Sequence, residues 1–219
     1  MSPFKIRLAL CGGFLIGAIA GCAQIPTQPE LSAAQQQNLM PTWQRHAQAI
    51  KSQRDWQCIG RIAIRTETQG GTVNLDWKQT GDFSRVTLSA PLNQGIVELK
   101  GQPDLMMITD SSGNQEITRD PQATIAKLTG WQIPIAALPD WIRGIPHQTN
   151  ASFTLNAQGL LQTLHDSGWS IEYEQYTPAA TATATLPRPQ KINVSKDNVI
   201  LKLIVDSWSS PQSTAEPQP

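Results

Sequence analysis

Residues 72–78, TVNLDWK, alternate apolar and polar side chains without a break. Successive side chains of a strand point to opposite faces, so Val73, Leu75 and Trp77 would share one face and the polar residues the other. The period of two returns in residues 85–90 and 97–100. Strands with one apolar and one polar face are typical of an antiparallel sheet that is solvated on one side.

The same alternation continues through the second half of the chain, between segments with helical spacing. It is found in residues 153–155, 160–165, 169–174, 191–194 and 199–205. The sequence therefore predicts a single-domain, mainly β fold of about ten or eleven antiparallel strands, forming a curved sheet or an incomplete barrel with inserted helices.

Three segments favour helices. Residues 31–51 place Trp43, Ala47 and Ile50 on one helical face, and Pro41 is expected to break or begin that helix. An Asp-Pro pair at 120–121 predicts the start of a second helix. A third, short helix is expected in residues 139–143.

Hairpin turns and loops are expected where glycine and polar residues cluster. Gly70-Gly71 and residues 111–114 are predicted to form turns between strands. Residues 177–189, which are rich in Pro, Ala and Thr, indicate an exposed loop or an irregular edge segment.

The N-terminus has the order of an export signal that ends in a cysteine. Lys5 and Arg7 precede an apolar run, residues 8–20, which is too short to span a bilayer as a helix. Ala20-Gly21-Cys22 follows and resembles the lipobox of bacterial lipoproteins, in which the cysteine is acylated. The expected organisation is a signal peptide (1–21), a lipidated tether (22–30), a folded domain (31–208) and a disordered tail (209–219).

Charge and cysteine content narrow the function further. The chain has 17 Lys and Arg against 17 Asp and Glu, and the basic residues are scattered, which argues against a nucleic-acid surface. Cys11 would leave with the signal and Cys22 would be lipidated, so Cys58 has no disulfide partner. Cys58 is expected to be a small buried apolar residue.

No sequence motif indicates catalysis. His46, His147 and His165 lie on separate predicted elements, without carboxylates or cysteines at metal-ligand spacing. The sequence therefore predicts no enzyme, no metal site and no cofactor.

Tryptophan is abundant, with seven residues against two tyrosines. Each Trp could simply pack in the core, because Trp is highly buried on average. As a set, these large rings could instead hold open an apolar cavity that smaller side chains would let collapse.

An ordered series of segments resembles the LolB family of outer-membrane lipoproteins. The resemblance covers roughly residues 43–208 and rests on Trp56-x3-GRIA (60–63), LDWKQ (75–79), PLNQ (91–94), LTGWQIP (128–134), WIRGIP (141–146), GWSIEY (168–173), Leu186-Pro187 and the strand at 202–208.

The resemblance implies an incomplete antiparallel β-barrel that encloses a hydrophobic cavity, with helices closing its mouth. It also implies a monomeric receptor, anchored on the periplasmic face of the outer membrane, that takes lipoproteins by their acyl chains from the periplasmic carrier LolA. Ala23, directly after the lipidated cysteine, is consistent with delivery to the outer membrane. The residues expected to line the cavity are Leu75, Trp77, Val86, Leu88, Val97, Leu99, Trp141 and Trp169.

The loop Pro91-Leu92-Asn93 is the expected membrane-insertion element. Leu92 is an apolar residue at a predicted loop tip, although it could also fold back into the core. Members of the family usually have Gly where this chain has Asn93, and Asn tolerates positive φ better than other non-glycine residues.

Two other functions fit the same features. The chain could be an envelope lipoprotein that binds or senses a free lipid without a protein donor. It could also be a structural lipoprotein that bridges envelope components.

Overall fold

A computed structural model describes residues 31–68, 70–90, 95–129, 132–178 and 186–210, with the backbone alone at 128 and 129. Within these ranges the chain forms three helices and eleven strands. In chain order they are α1 (Ala33–Ser52), β1 (Trp56–Arg65), β2 (Gly70–Thr80), β3 (Phe83–Ser89), β4 (Ile96–Gln102), β5 (Leu105–Thr109), β6 (Gln115–Thr118), α2 (Pro121–Thr129), α3 (Leu138–Ile142), β7 (Ser152–Leu155), β8 (Leu161–Asp166), β9 (Trp169–Tyr176), β10 (Pro189–Lys196) and β11 (Val199–Ser209).

All eleven strands belong to one antiparallel sheet, in the order β6-β5-β4-β3-β2-β1-β11-β10-β9-β8-β7. The first and last strands, β1 and β11, pair with each other in the middle of the sheet. The outermost strands of this order, β6 and β7, are not paired with each other, so the sheet is open. The predicted mainly β, antiparallel fold with inserted helices is confirmed.

The alternation in residues 72–78 sets the face of the sheet that is buried. Leu75 and Trp77 are 2% and 7% exposed, whereas Asn74, which precedes them, and Asp76, which lies between them, are exposed. We call the buried face, which the helices cover, the inner face. The register keeps it continuous, because Leu75 pairs with Leu88 and Trp77 pairs with Val86 on the next strand.

Gly60 is required where β1 meets β11. The register between these strands shifts at Ile59 and Gly60. A Cβ atom added at Gly60 would lie 2.2 Å from the carbonyl oxygen of Ile204, a distance that real Cβ atoms do not reach. The backbones therefore approach too closely at this point for any residue with a side chain.

Two clusters of buried apolar residues lie on the inner face. The larger one joins Trp43 and Ile50 of α1, and Trp141 and Ile142 of α3, to residues from most of the strands. The smaller one contains Leu99, Met106 and Ile108 of β4 and β5, with Ile125 of α2 packed against it.

Helix α1 begins earlier than the proline pattern predicted, and Pro41 lies inside it. A capping box starts the helix: the Ser32 side chain accepts a hydrogen bond from Gln35 N–H, and the Gln35 side chain accepts one from Ser32 N–H. Trp43 and Ile50 then anchor the later turns in the core. Because this packing outweighs the hydrogen bond lost at Pro41, the prediction of a break or a start there was wrong.

Other local predictions had mixed outcomes. Asp120 caps α2 by accepting a hydrogen bond of 2.9 Å from Ala123 N–H, as the Asp-Pro pair predicted. The turn at 111–114 is also confirmed by hydrogen bonds that join Asp110 and Asn114. Gly70 and Gly71, by contrast, lie inside β2, where they pair with Arg65 and Ile64, so the turn precedes them.

Two further observations complete the fold. Strand β11 ends at Ser209, the first residue of the segment predicted as a tail. Within the described ranges, no helix combines the length and the apolar character needed to cross a membrane.

Candidate functional site

Six of the residues predicted to line a cavity form two neighbouring rows across β2, β3 and β4. One row is Leu75, Leu88 and Val97; the other is Trp77, Val86 and Leu99. Directly paired residues on one face of an antiparallel sheet have Cβ atoms about 5 Å apart. The structure therefore brings these six side chains together into one apolar patch on the inner face, which we call the β2–β4 patch.

Burial changes across the β2–β4 patch. Leu75, Trp77 and Leu99 are almost fully buried, whereas Val86, Leu88 and Val97 are only half-buried. Val86 and Leu88 contact both the larger and the smaller apolar clusters. The patch thus lies at the junction between two packed regions, where apolar side chains remain partly accessible.

The other two predicted lining residues lie elsewhere on the inner face. Trp141 is on α3 and Trp169 is on β9, and their rings are 6.3 Å apart at 1% and 4% exposure. Three strands separate β9 from β2 in the sheet. Trp141 and Trp169 are therefore packed in the larger cluster and do not join the β2–β4 patch.

Asp166 fixes Trp141 and the segment after α3. Although it is only 2% exposed, its carboxylate accepts hydrogen bonds from Trp141 Nε1 at 3.0 Å, His147 N–H at 2.6 Å, Gln148 N–H at 3.1 Å and Ser167 Oγ at 2.8 Å. Burial alone would raise the pKa of Asp166, but these donors together hold that pKa below its ordinary value. Asp166 is thus a buried, ionised carboxylate that ties α3 to the sheet.

Three tryptophan rings pack against one another in series at the end of the sheet where β1 begins and β2 and β11 end. Trp56 lies 5.2 Å from Trp77 and 5.7 Å from Trp208, measured between ring centroids. Two guanidinium groups lie over this series: Arg143 at 5.7 Å from the Trp56 ring and Arg188 at 5.1 Å from the Trp208 ring.

The polar interior of this region was missed by the sequence analysis. Arg188 is 8% exposed, although residues 177–189 are expected to form an exposed loop or an irregular edge segment, and His46 is also 8% exposed. The expectation of exposure was wrong for Arg188 and Pro189, because Pro189 begins β10 and carries both residues into the core. Neither the Pro-rich composition nor the strand period marks this Arg as buried.

The remaining sequence predictions concern cysteines and the proposed insertion loop. Cys58 is fully buried, and burial raises the pKa of its thiol, which confirms it as a small apolar core residue. Cys22 and the loop residues Pro91, Leu92 and Asn93 lie outside the described residues.

The chain matches the family model for "Outer membrane lipoprotein LolB" over residues 54–208. It belongs to the LolB family. Similar relatives include the outer-membrane lipoprotein LolB of Alkalilimnicola ehrlichii, with 30% identity covering 91% of this chain and 96% of that protein. The LolB of Aeromonas hydrophila is 33% identical and covers 93% of this chain and 96% of its own length.

Solved structures support the fold of this LolB-family chain. A LolA superfamily protein from Nitrosomonas europaea matches with a TM-score of 0.50 at 11% identity, over 78% of this chain and 93% of that chain. A putative outer membrane lipoprotein-sorting protein domain from Vibrio parahaemolyticus gives the same TM-score at 10% identity, with the same coverage of both chains. At such low identity the likeness concerns the open sheet with its helices alone.

Two surface depressions differ from the β2–β4 patch in character. One, of about 370 Å³, is lined mainly by polar residues between 165 and 170, and the other, of about 340 Å³, lies between α1 and residues 146–149. Neither includes a residue of β2, β3 or β4, so the β2–β4 patch remains the best candidate surface for an apolar ligand in this LolB-family chain.

Proposed function

We propose that this protein is an outer-membrane receptor that accepts acylated lipoproteins from the periplasmic carrier LolA and inserts them into the outer membrane. The observation that carries this proposal is the LolB family match over residues 54–208, which includes residues of every strand of the sheet. The half-buried apolar surface at the junction of the two clusters supports it, since an acyl chain requires an apolar surface that a ligand can reach.

Physical chemistry explains why such a receptor is needed. Each buried CH₂ group is worth about 0.8 kcal/mol, so three long acyl chains exposed to water would cost on the order of 30 kcal/mol. A lipoprotein therefore needs an apolar surface at every stage of its passage between membranes. Transfer without an energy source further requires the receptor to bind the acyl chains more favourably than the carrier does.

The acyl chains would contact the β2–β4 patch. Val86, Leu88 and Val97 have apolar surface that is still partly exposed, and Leu75, Trp77 and Leu99 form the firm base beneath. Trp141 and Trp169 would act differently from the lining role expected for them, because they are packed together and held by Asp166. Their proposed role is to keep the larger cluster rigid beside the bound chain.

An N-terminal anchor would hold this receptor on the periplasmic face of the outer membrane. In this proposal residues 1–21 are removed as a signal peptide, Cys22 is acylated, and residues 22–30 tether the domain that begins at residue 31. The residues after Ser209 form a disordered tail, and the protein acts as a monomer. Mass spectrometry of the mature N-terminus and fractionation of the membranes would test the anchor and its location.

The decisive experiment is a transfer assay. LolA loaded with a labelled lipoprotein is mixed with the chain from residue 22 onward, carrying Cys22→Ala so that it stays in solution. The expected result is movement of the label from LolA to this protein. Retention of all the label on LolA would contradict the proposal. If free acyl lipid still binds to this protein, that result would favour the alternative of a lipid-binding lipoprotein without a protein donor.

Leu92 separates uptake from membrane insertion. Burying a leucine at a membrane is worth roughly 1.5–3 kcal/mol. Leu92→Glu is therefore expected to leave uptake from LolA intact and to slow insertion into liposomes by roughly tenfold or more. Leu92→Met, which keeps an apolar side chain at the same position, is the matched control and should insert normally. If Leu92→Glu inserts as fast as the unmodified protein, the proposed role of this loop is wrong.

A further inference from the structure

Arg143 and Arg188 make similar stacking contacts but have different polar partners. Each guanidinium lies over a tryptophan ring at one end of the sheet. Arg143 donates to the Asp140 carboxylate at 2.8 Å and to the carbonyl oxygen of Pro139 at 2.8 Å. Its charge is therefore paired within the fold.

Arg188 has no such carboxylate among the residues that the structure describes. One of its terminal nitrogens, Nη2, donates to the side-chain amide oxygen of Gln53 at the end of α1. The other, Nη1, is buried and has no hydrogen-bond partner. The side chain is 8% exposed, so solvent satisfies little of it, and burial lowers the pKa of Arg188 to about 10.

His46 provides a second unsatisfied polar atom in the same region. It lies on the buried face of α1 with Trp43 and Ile50, and its Nε2 is buried without a partner. Burial first and the Arg188 charge second lower the pKa of His46, which keeps its imidazole neutral. Both groups lie close to α1: His46 is on its buried face, and Arg188 donates to Gln53, the residue that follows its last turn.

Leaving such groups unsatisfied is costly. A buried donor that lacks an acceptor loses its hydrogen bonds to water without replacement, and the loss is larger for a charged group. A ligand oxygen that accepted from Arg188 Nη1 would recover that loss. Since Trp208 and Trp56 lie alongside, the ligand that fits best combines an acceptor oxygen with apolar groups.

We propose that Arg188, with His46 on the adjacent face of α1, forms a polar subsite that binds the carbonyl oxygens of an acylated ligand. This inference rests on the proposed function, because ester and amide carbonyls are the oxygen atoms that join acyl chains to a lipoprotein. Such carbonyls accept hydrogen bonds and carry no charge, so they enter an apolar region at lower cost than a carboxylate does.

The end of α1 lies next to this subsite. Arg143 Nη1 donates to the backbone carbonyls of Ile50 and Gln53, each at a long distance of 3.4 Å. The Gln53 side chain occupies Arg188 Nη2 as a neutral amide acceptor. An incoming carbonyl therefore uses the same chemistry that Gln53 already uses, at the nitrogen that Gln53 leaves free.

The test compares two lipopeptides that differ only in their carbonyl groups. One carries two octanoyl esters on a glyceryl-cysteine, and the other carries two octyl ethers of the same length, which lack carbonyl oxygens. Calorimetric titration into the chain from residue 22 onward, with Cys22→Ala, measures both affinities. The ester is expected to bind about tenfold more tightly than the ether, because a charged donor to a carbonyl is worth roughly that much.

Substitutions then assign this preference to Arg188. Arg188→Met should bring the affinities of ester and ether together by weakening only the ester, and Arg188→Lys should retain part of the preference. Arg54→Met is the matched control, because the Arg54 side chain is 64% exposed, and it should keep the full preference.

The outcomes separate this inference from the proposed function. Equal binding of ester and ether by the unmodified protein would overturn the polar subsite and leave the receptor role standing. Binding of neither lipopeptide would contradict the receptor role itself, and the subsite with it. If Arg188→Met does not fold, Arg188→Lys makes the assignment, and an unchanged preference in that variant would overturn the role of Arg188.

Discussion

The two halves of the sheet differ in how tightly their inner faces are packed. On β7–β11, under α1 and α3, Leu161 and Leu164 are fully buried. On β3 and β4, next to α2, Val86, Leu88 and Val97 are only half-buried. One sheet therefore combines a fully buried half with a half whose apolar surface a ligand can reach.

Polar contacts follow the same division. In the β7–β11 half, the buried Asp166 collects four hydrogen bonds from α3, the following segment and Ser167. At the β2–β3 turn, Asp82 meets Arg54 at 2.8 Å with both side chains mostly exposed. Buried, charge-assisted hydrogen bonds stabilise far more than solvated ion pairs. The β7–β11 half is therefore expected to contribute more to the free energy of unfolding than the other half.

The largest difference is expected between two leucines truncated to alanine. Leu164→Ala should lower the free energy of unfolding by about 3 kcal/mol, because it leaves a cavity in a fully packed region. Leu88→Ala should cost about 1 kcal/mol, since the side chain is only half-buried and its neighbours can be reached by water. Urea unfolding followed by tryptophan fluorescence measures both, and equal costs would show that the two halves are packed alike.

A smaller but still clear effect is expected at Asp166. Asp166→Asn keeps the size of the side chain but replaces the charged carboxylate with a neutral amide. The NH₂ group of that amide would then face the donors whose hydrogen bonds the carboxylate accepts. Stability at neutral pH should fall by about 2 kcal/mol. Asn156→Asp, the reverse change at another buried polar residue of this half, gives the change in stability on adding a buried charge for comparison.

The Asp166 effect should also depend on pH. Because the folded-state pKa lies below the ordinary value of 3.8, the ionised carboxylate stabilises the fold at pH values above that figure. This contribution is lost as the pH falls towards the folded-state pKa. The stability gap between the unmodified protein and Asp166→Asn should therefore be constant near neutrality and shrink below about pH 4. A gap that widens in acid would contradict the assignment.

The smallest effect is expected at Asp82, the exposed counterpart of Asp166. Asp82→Ala should change the free energy of unfolding by less than about 0.5 kcal/mol, because solvent screens its contact with Arg54. The same urea unfolding measurement applies. A loss as large as that of Asp166→Asn would show that the buried and the exposed carboxylate contribute equally to stability.

Much of the fold could be predicted from the sequence, because periodicity reports which face of a strand is buried. The alternation around Leu75 and Trp77 gave both the strand and its inner face correctly. The six strand residues proposed to line a cavity do come together, because antiparallel pairing keeps alternate residues on one face. These are properties that neighbouring positions in the chain determine.

Features that depend on distant contacts could not be predicted in this way. Pro41 was expected to interrupt a helix, yet packing of Trp43 and Ile50 on the sheet overrides the local preference. Arg188 is buried and binds Gln53, which precedes it by 135 positions in the chain. Trp141 and Trp169 were expected to join one lining set, but Trp141 lies on α3, and three strands separate β9, which carries Trp169, from β2. Composition and spacing carry no information about such contacts.

The central pairing of β1 with β11 also determines when the protein can fold. Arg61 and Asp206, which form an ion pair across these strands, are 145 positions apart in the chain. A contact of such long range closes slowly and requires nearly the whole chain to be present. During synthesis and export the two halves of the sheet would remain unpaired until β11 emerges. A truncation of β11 would therefore remove a central strand of the sheet and not merely an edge strand.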